Sequence, residues 1–249
     1  MDLDRVSLAF LLLAAPCVGS FLGTVIERLP AGEPIALGRS RCQFCRQDLS
    51  ARDLVPVASW IARRGRCRHC RERIGLFHPT IELSALAVGV TAAAAVPASA
   101  LPASLALGWT LLALAVIDTR HFLLPDRLTL PLLLAGLTVA AFGDQHRLVD
   151  AVLGAAFGYA SLACAAGLYR RVRGREGLGL GDAKLFAALG AWVGWQGLPG
   201  TLLIACLAAL VAALIAGRGR PAATMPIPFG PWLALGGWTV WLIGPLVPA

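Results

Sequence analysis

Residues 6–26 read VSLAFLLLAAPCVGSFLGTVI, an almost unbroken apolar run of the roughly 20 residues that a helix needs to cross a bilayer. Comparable runs recur to the C-terminus, which argues against a signal peptide followed by a soluble domain. Of all residues, 57% are hydrophobic and 14% are charged, and the mean hydropathy is +0.72. These values do not suit a soluble surface. The chain is therefore predicted to be an all-α polytopic membrane protein.

About eight transmembrane helices are predicted, with Pro, Gly or charged residues between them. They lie near residues 6–26, 80–97, 101–117, 128–142, 148–168, 183–197, 200–216 and 231–247. The fourth and the sixth are short, so a tilted or re-entrant element is an alternative for each. The predicted domains are a first transmembrane helix over 1–29, an aqueous loop over 30–79 and a helical membrane domain over 80–249.

The net charge of +8 comes from basic residues that gather in alternate loops. All but two of the 22 basic residues, Arg5 and Arg147, fall within 28–73, 118–127, 170–184 and 218–220. The positive-inside rule places these loops in the cytosol and both termini outside. The charge is thus interpreted as setting orientation beside membrane lipid, and no nucleic-acid partner is expected.

Four of the seven cysteines form two pairs, Cys42 with Cys45 and Cys67 with Cys70, with 21 residues between the pairs. This spacing is typical of a zinc ribbon, in which two tight turns direct four thiolates at one ion. Disulfides are the alternative, but a cytosolic loop is reducing, so metal is favoured. A closed four-sulfur site leaves no position for water, which predicts structural zinc, with His69 as a surface residue.

The loop between the two cysteine pairs contains several apolar side chains. Leu54, Val57, Trp60 and Ile61 are expected to form the small core of this zinc-ribbon-like loop. A loop of this size has too few residues for a large core, which is why the metal is predicted to staple it.

Two aspartates lie where apolar runs meet the predicted cytosolic face. Asp118 follows the run Leu111–Ile117, and Asp182 follows a glycine-rich stretch at the start of another apolar run. Ionisable groups at membrane depth are costly and usually face a cavity or one another. Paired carboxylates do not both ionise easily, so one keeps a proton while the other acts as a base. The two aspartates are therefore a candidate dyad for aspartyl proteolysis.

Structural interpretations of these carboxylates remain open at this point. In the simplest alternative, neither aspartate is catalytic: Asp182 caps the N-terminus of a helix, and Asp118 is a polar residue that ends its span. Asp126, which follows Pro125, is a rival partner for Asp118 or a cap.

Three further features receive a structural interpretation only. Glu82 and His78 are interfacial anchors or caps, and Gly154 with Gly158 matches a helix-packing motif. A backbone of Gly179 and Gly181 can approach an extended peptide closely, which makes these residues and the neighbouring Lys184 candidates for substrate binding.

Several segments together resemble one known family over nearly the whole chain. They are GSFLGTVIERLP at 19–30, both cysteine pairs, Ser59–Trp60 with RGRC at 64–67, Pro79 with Glu82, ID at 117–118 with LPD at 124–126, GLGDAKL at 179–185, ALGAW at 188–192 and PFGP at 228–231. In this order they resemble the type IV prepilin peptidases, leader peptidases and N-methyltransferases of pilus and type II secretion systems.

The resemblance implies that Asp118 and Asp182 are catalytic and that Cys42, Cys45, Cys67 and Cys70 bind zinc. It also implies prepilin or pseudopilin substrates, cut after Gly at the cytosolic face of the bacterial inner membrane. Methyl transfer with S-adenosylmethionine rests on the resemblance alone, because the chain carries no nucleotide-type glycine fingerprint. The chain departs from the pattern at Gly23, where the family usually has Asn, and at Phe77–His78, where Tyr or Arg-Tyr is common before the Pro.

Two other functions compete with this prediction. A presenilin-like intramembrane protease shares the GxGD pattern but does not call for the cysteine pairs. An inactive zinc-bearing scaffold of a pilus or secretion assembly would use both aspartates as caps, and it would tolerate their substitution.

Overall fold

The computed structural model describes residues 5–35, 40–143, 145–174, 177, 179–216 and 227–244. Within these residues, eight α-helices and one 3-10 turn, Ala51–Asp53, are formed, and two isolated β-bridges are the only extended pairings. The helices are α1 (Arg5–Arg28), α2 (Ala58–Ala62), α3 (Phe77–Ala95), α4 (Leu101–His121), α5 (Asp126–Ala141), α6 (Gln145–Arg173), α7 (Leu180–Ala216) and α8 (Gly230–Ile243). The prediction of an all-α protein is confirmed for this part of the chain.

Four helices in the described part of the chain are long and apolar enough to cross a membrane. They cover Ala9–Arg28, Leu101–His121, Gln145–Arg173 and Leu180–Ile215, and each coincides with one or two of the predicted spans. The basic loop at 218–220 and the last residues of the final predicted span, 245–247, lie outside the described residues.

The predicted spans 183–197 and 200–216 correspond to two helical segments that together make up α7, and the break between them falls at a different residue from the one expected. The sequence suggests a boundary near Pro199, but the backbone leaves the helix at Gly194, with φ 71° and ψ 173°. Glycine adopts a positive φ without steric cost, whereas proline fixes a φ close to that of a helix. The break therefore falls on Gly194, and Pro199 lies within the second half of α7.

The chain forms two compact units, Met1–Trp109 and Thr110–Ala249. In the first unit, α1 packs against α3 through small residues. A Cβ on Gly19 would lie 2.6 Å from the Cα of Glu82, and Gly89 faces Leu11 and Ala15. Such contacts let two backbones approach closely, as is common between helices that lie in lipid.

The second unit is built around α7, which contacts α5, α6 and α8. The backbones of α6 and α7 touch where Gly154 faces Gly190, so that a Cβ on either glycine would overlap the carbonyl of the other. A Cβ on Gly158 would lie 2.6 Å from the carbonyl oxygen of Phe186. The predicted packing role of Gly154 and Gly158 is confirmed.

The cysteine-bearing loop is held by polar contacts rather than by the expected apolar core. Leu54 is 43% exposed and Ile61 is 62% exposed, so the prediction that they form a core was wrong. Of the four expected core residues, Trp60 is half-buried, stacks over Gly65 and donates a hydrogen bond to the Ile74 carbonyl at 3.2 Å. The segment is too short to enclose its apolar side chains, and backbone groups take the inner positions instead.

Asp53 is the polar centre of this loop. Its carboxylate accepts hydrogen bonds from the Ser50 hydroxyl at 2.7 Å and the Ser50 N–H at 3.0 Å, and it forms an ion pair with Arg63. Burial alone would raise the pKa of Asp53, but these hydrogen bonds and the Arg63 charge hold it below its usual range. The carboxylate is thus ionised at neutral pH, and its stabilising effect is lost only as the pH falls through that lowered pKa.

Candidate active site and metal centre

Asp118 lies in the last turn of α4 and is 5% exposed. Its Oδ2 accepts a hydrogen bond at 2.9 Å from the backbone N–H of Gly230, a residue 112 positions away in sequence. A buried carboxylate requires such partners, because burying a charge without hydrogen bonds is costly. Asp118 is therefore held in a defined position and is more than a polar stop to its helix.

Gly230 is the first residue of α8, and this site requires a glycine. A Cβ at this position would lie 2.7 Å from Asp118 Oδ2 and 3.1 Å from Leu124 Cδ2. The N-terminus of a helix also favours a neighbouring negative charge. The PFGP string contains Gly230, and a glycine beside Pro231 at a helix start is the local signal for it, which does not indicate a contact with Asp118.

Asp182 lies in the first turn of α7, with its N–H donating to the Gly179 carbonyl at 3.2 Å. It follows the first two residues of the helix, so the interpretation as an N-cap is wrong. Leu124 joins the two aspartate regions, since a Cβ on Gly181 would lie 3.2 Å from Leu124 Cβ. Leu124 also lies beside Gly230, the residue that holds Asp118, since a Cβ on Gly230 would lie 3.1 Å from Leu124 Cδ2. The fold thus brings the two predicted dyad residues together.

Asp126 has a partner other than Asp118. Lys184 Nζ lies 2.8 Å from both carboxylate oxygens of Asp126. The side chains are 36% and 52% exposed, so water screens this ion pair. The contact ties the first residue of α5 to the first turns of α7, two residues beyond Asp182. Asp126 therefore forms an ion pair with Lys184.

The four cysteines of the two pairs converge in the loop. Their Sγ atoms lie within 4.8 Å of one another, and Cys42 Sγ lies 3.9 Å from Cys70 Sγ. Four sulfurs placed about 2.3 Å from a tetrahedral ion are about 3.8 Å apart. All four thiols are free rather than disulfide-bonded. The cluster can hold a metal ion, and its donor set suits zinc.

The two cysteine turns repeat one structure. In the first, Arg46 N–H donates to the Cys42 carbonyl at 2.9 Å, and in the second Arg71 N–H donates to the Cys67 carbonyl at 3.1 Å. Arg46 and Arg71 both have a positive φ, 55° and 57°. A β-bridge closes each turn, Arg41 with Asp48 and Arg66 with Arg73. Two equivalent turns facing each other supply two sulfurs each.

Cys67 is prepared to act as a thiolate. The backbone N–H groups of Cys70 and His69 direct hydrogen bonds at its sulfur and lower its pKa to about 7. Metal ions bind the thiolate and not the thiol, so this environment favours binding. The His69 side chain is exposed and lies outside the four-sulfur cluster, in agreement with its predicted place at the surface.

We expect the purified protein to contain about one metal ion per chain. Cys67→Ser should reduce the metal content to background, because a closed site with three sulfurs binds the ion far more weakly. Elemental analysis checks the content, and trypsin sensitivity of the arginine-rich loop checks its folding. Cys164→Ser, at an exposed cysteine of α6, is the matched control and should keep the metal. Full metal content in Cys67→Ser would contradict the assignment.

Glu82 is neither a helix cap nor an exposed anchor. It is 5% exposed in α3, and its Oε2 accepts a hydrogen bond at 2.7 Å from the backbone N–H of Val57. A buried carboxylate of α3 thus holds the cysteine loop by its backbone.

Gly23 and His78, at which the chain departs from the family pattern, contact each other in the structure. His78 Nδ1 lies 2.6 Å from the position that a Cβ on Gly23 would occupy. His78 Nε2 lies 3.7 Å from Glu27 Oε2 on α1, and its ring meets Phe77 edge-on. A side chain such as Asn at position 23 would displace this imidazole. Gly23 and His78 therefore fit together as a pair.

Two family models match consecutive parts of the chain. The family model "Bacterial Peptidase A24 N-terminal domain" matches residues 13–96, which include the cysteine cluster. The model "Type IV leader peptidase family" matches residues 105–214, which include Asp118 and Asp182. No solved structure matches the chain.

Curated relatives match over most of their length. A prepilin leader peptidase/N-methyltransferase of Burkholderia pseudomallei (strain 1026b) is 45% identical over 92% of this chain and 83% of its own. Proteins with the same name from Stutzerimonas stutzeri and Pseudomonas aeruginosa are each 40% identical, over 97% and 95% of this chain and 93% and 91% of theirs. The chain therefore belongs to the type IV leader peptidase family, together with these prepilin leader peptidase/N-methyltransferases.

Proposed function

We propose that the protein is a membrane-embedded aspartyl endopeptidase that removes the short basic leader of type IV prepilins or pseudopilins after a glycine. Asp118 and Asp182 are its catalytic pair. The observation that carries the proposal is the convergence of the end of α4, where the Gly230 N–H holds Asp118, and the start of α7, which carries Asp182, around Leu124. Membership of the leader peptidase family supplies the substrate class.

The mechanism follows from the chemistry of two neighbouring carboxyl groups. Because both do not ionise easily at short distance, the pair shares one proton and titrates as a unit. The ionised group takes a proton from a water molecule as the water oxygen attacks the scissile carbonyl carbon. The protonated group donates its proton to the carbonyl oxygen. The newly protonated group then gives its proton to the leaving amine nitrogen as the C–N bond breaks. The other group takes back a proton from a hydroxyl of the tetrahedral intermediate, so the pair again shares one proton.

Gly179 and Gly181 are proposed to bind the substrate backbone next to this pair. Gly179 is exposed and Gly181 is partly exposed, and both lie within the three residues that precede Asp182. An extended peptide needs main-chain hydrogen bonds, and a glycine backbone leaves room for them. Lys184 is the proposed polar contact to the substrate, with Asp126 orienting its ammonium group.

Location and topology extend the proposal. The multi-pass chain lies in the bacterial inner membrane with about eight spans, and the cysteine loop and catalytic face are cytosolic, as the arrangement of Arg residues indicates. Residues 1–29 form the first span, 30–79 the metal-binding loop and 80–249 the domain that carries the aspartates. A prepilin, with a cytosolic leader and a membrane helix, would present its cleavage site at this face.

The metal and the methyl donor have separate proposed roles. Zinc at Cys42, Cys45, Cys67 and Cys70 stabilises the loop, which lacks an apolar core, and takes no part in proteolysis. S-adenosylmethionine would donate the methyl group to the new N-terminus, a proposal that the names of the relatives support.

A peptide with a basic leader, a glycine and a hydrophobic helix tests the proposed function. We expect membranes that contain the protein to release the leader by one cut after the glycine. Adding S-adenosylmethionine should raise the mass of the mature peptide by one methyl group. Mass spectrometry of the products distinguishes the two steps. An intact peptide with correctly folded protein would favour the scaffold alternative, and cuts within the hydrophobic helix would favour a presenilin-like protease.

The Lys184–Asp126 contact yields a separate prediction. Lys184→Met should raise KM about tenfold, because a charge-assisted hydrogen bond to the substrate is lost. Asp126→Asn should raise KM by roughly threefold, since the ammonium loses its orientation while keeping its charge. Steady-state kinetics on the leader peptide measure both effects. The exchanged variant Asp126→Lys/Lys184→Asp should stay impaired. Restored kinetics in that variant would mean that the ion pair is purely structural.

A further inference from the structure

An exposed apolar segment lies in the middle of the cysteine loop. Residues 54–62 contain Leu54, Val55 and Ile61, which are 43%, 48% and 62% exposed. Three large aliphatic side chains within one short aqueous segment are unusual for a surface that meets only water. This segment is therefore a candidate interaction surface.

The helix α2 within this segment exposes apolar side chains and turns its hydrogen-bonding side chains inward. Ala58, Ile61 and Ala62 are exposed and lie on one side of the helix, as their spacing of three and four residues requires. Ser59 and Trp60 lie on the other side, are partly buried and donate hydrogen bonds to carbonyls of the loop. A helix in water normally shows the opposite arrangement. The outer side of α2 is thus suited to an apolar medium.

The contact between the loop and α3 indicates the depth of this segment. The Val57 N–H donates to Glu82 Oε2, and Glu82 lies beside Gly19 of α1. From Gly19, α1 continues to Arg28, which corresponds to about 13 Å along the helix axis. The Glu82 side chain leans back toward the start of α3 by a few Å of that distance. Along the axis of α1, Val57 therefore lies between Gly19 and Arg28, short of the end of the candidate membrane span Ala9–Arg28. This is the level of a bilayer interface.

The backbone at Val57 is held in a strained turn. Val57 has φ 56° and ψ −51°, and the Ala58 N–H donates to the Pro56 carbonyl, which defines a γ-turn with a positive φ. A β-branched residue rarely adopts this conformation, and it persists only where the surroundings impose it. The buried Glu82 carboxylate supplies that restraint. The segment is thus fixed against α3.

Arginines border the apolar segment on both sides. Arg52 and Arg64 are exposed and lie two positions before and two positions after residues 54–62. Asp48 and Asp53 of the same loop already pair with other arginines. A guanidinium group binds phosphate through two parallel hydrogen bonds. The two arginines would thus face the phosphate layer of a lipid leaflet, and the apolar side chains between them would face its acyl chains.

We propose that residues 52–64 form an interfacial anchor that inserts Leu54, Val55 and Ile61 into an anionic lipid leaflet. Arg52 and Arg64 bind lipid phosphates at its two ends. This anchor holds the metal-bearing loop against the membrane, a role distinct from peptide cleavage and independent of the catalytic pair.

Photo-crosslinking of the full chain tests this contact directly. Ile61→benzoylphenylalanine in lipid nanodiscs should yield adducts with lipid acyl chains, identified by mass spectrometry. Leu13, 75% exposed in the span of α1, is the positive control site for the same substitution. Lipid adducts at position 13 and none at position 61 would overturn the proposal. Adducts of position 61 with an added leader peptide in place of lipid would also overturn it, because the surface would then serve the substrate.

The charge requirement is tested by hydrogen exchange of residues 54–62. Nanodiscs with half anionic lipid should slow exchange about tenfold relative to zwitterionic nanodiscs, because each arginine gains attraction at an anionic surface. Arg52→Gln/Arg64→Gln should abolish this difference, whereas Arg52→Lys/Arg64→Lys should keep most of it. Metal content identifies any variant whose loop has failed to fold. Equal exchange in both lipids for the unchanged protein would overturn the proposal.

Discussion

Asp118→Asn and Asp182→Asn are each expected to reduce cleavage of a prepilin-like peptide by at least about 10³-fold, since each change removes a general acid or base. Asn has nearly the same size as Asp and still accepts a hydrogen bond, so Asp118→Asn keeps the contact with the Gly230 N–H. The loss should therefore appear in kcat with little change in thermal stability. Initial rates at saturating peptide, together with melting temperatures in detergent, measure both quantities.

Asp150→Asn is the matched control for the dyad prediction. Asp150 is another carboxylate of the second unit, and its Oδ1 accepts a hydrogen bond from Trp195 Nε1 at 3.1 Å. An amide oxygen replaces that acceptor, so activity should be unchanged. If Asp126→Asn abolished cleavage while Asp182→Asn did not, Asp126 would be the partner of Asp118. Activity in both Asp118→Asn and Asp182→Asn would support the scaffold alternative.

Gly230→Ala is expected to reduce kcat about 10²-fold, because a displacement near 1 Å at a reacting group has an effect of this size. The added Cβ would lie 2.7 Å from Asp118 Oδ2 and meet Leu124, so the carboxylate has to rotate away. The N–H that now orients Asp118 would lose its acceptor. KM should change little, since Gly230 positions the catalytic group and is not proposed to bind the peptide. Steady-state kinetics separate the two parameters.

Gly237→Ala tests whether the effect at Gly230 is one of packing. Gly237 lies in the same helix, and its added Cβ would meet the flexible end of the Leu189 side chain. This change should lower the melting temperature more than it lowers kcat. The prediction for Gly230 would be wrong if Gly230→Ala kept full kcat, or if both variants lost stability and activity in the same proportion.

The sequence was sufficient for features whose signals are local. Membrane-type helices follow from the length and hydropathy of single segments. The four cysteines follow from two short spacings, and the turns they form depend on residues within each motif. Gly154 and Gly158 matched a packing motif because their spacing places both on one side of a helix. Asp118 and Asp182 are predicted as a pair because a charge beside an apolar run is costly wherever the chain folds.

Features that depend on contacts between distant segments required the tertiary structure. Gly230 touches Asp118 across 112 residues, and Glu82 holds Val57 across 25 residues. Neither pairing follows from a local pattern, because a glycine or a glutamate fits many environments. The same reason explains why Leu54 and Ile61 were wrongly placed in a core. Hydrophobicity predicts that a side chain avoids water, but the tertiary structure decides whether protein or lipid covers it.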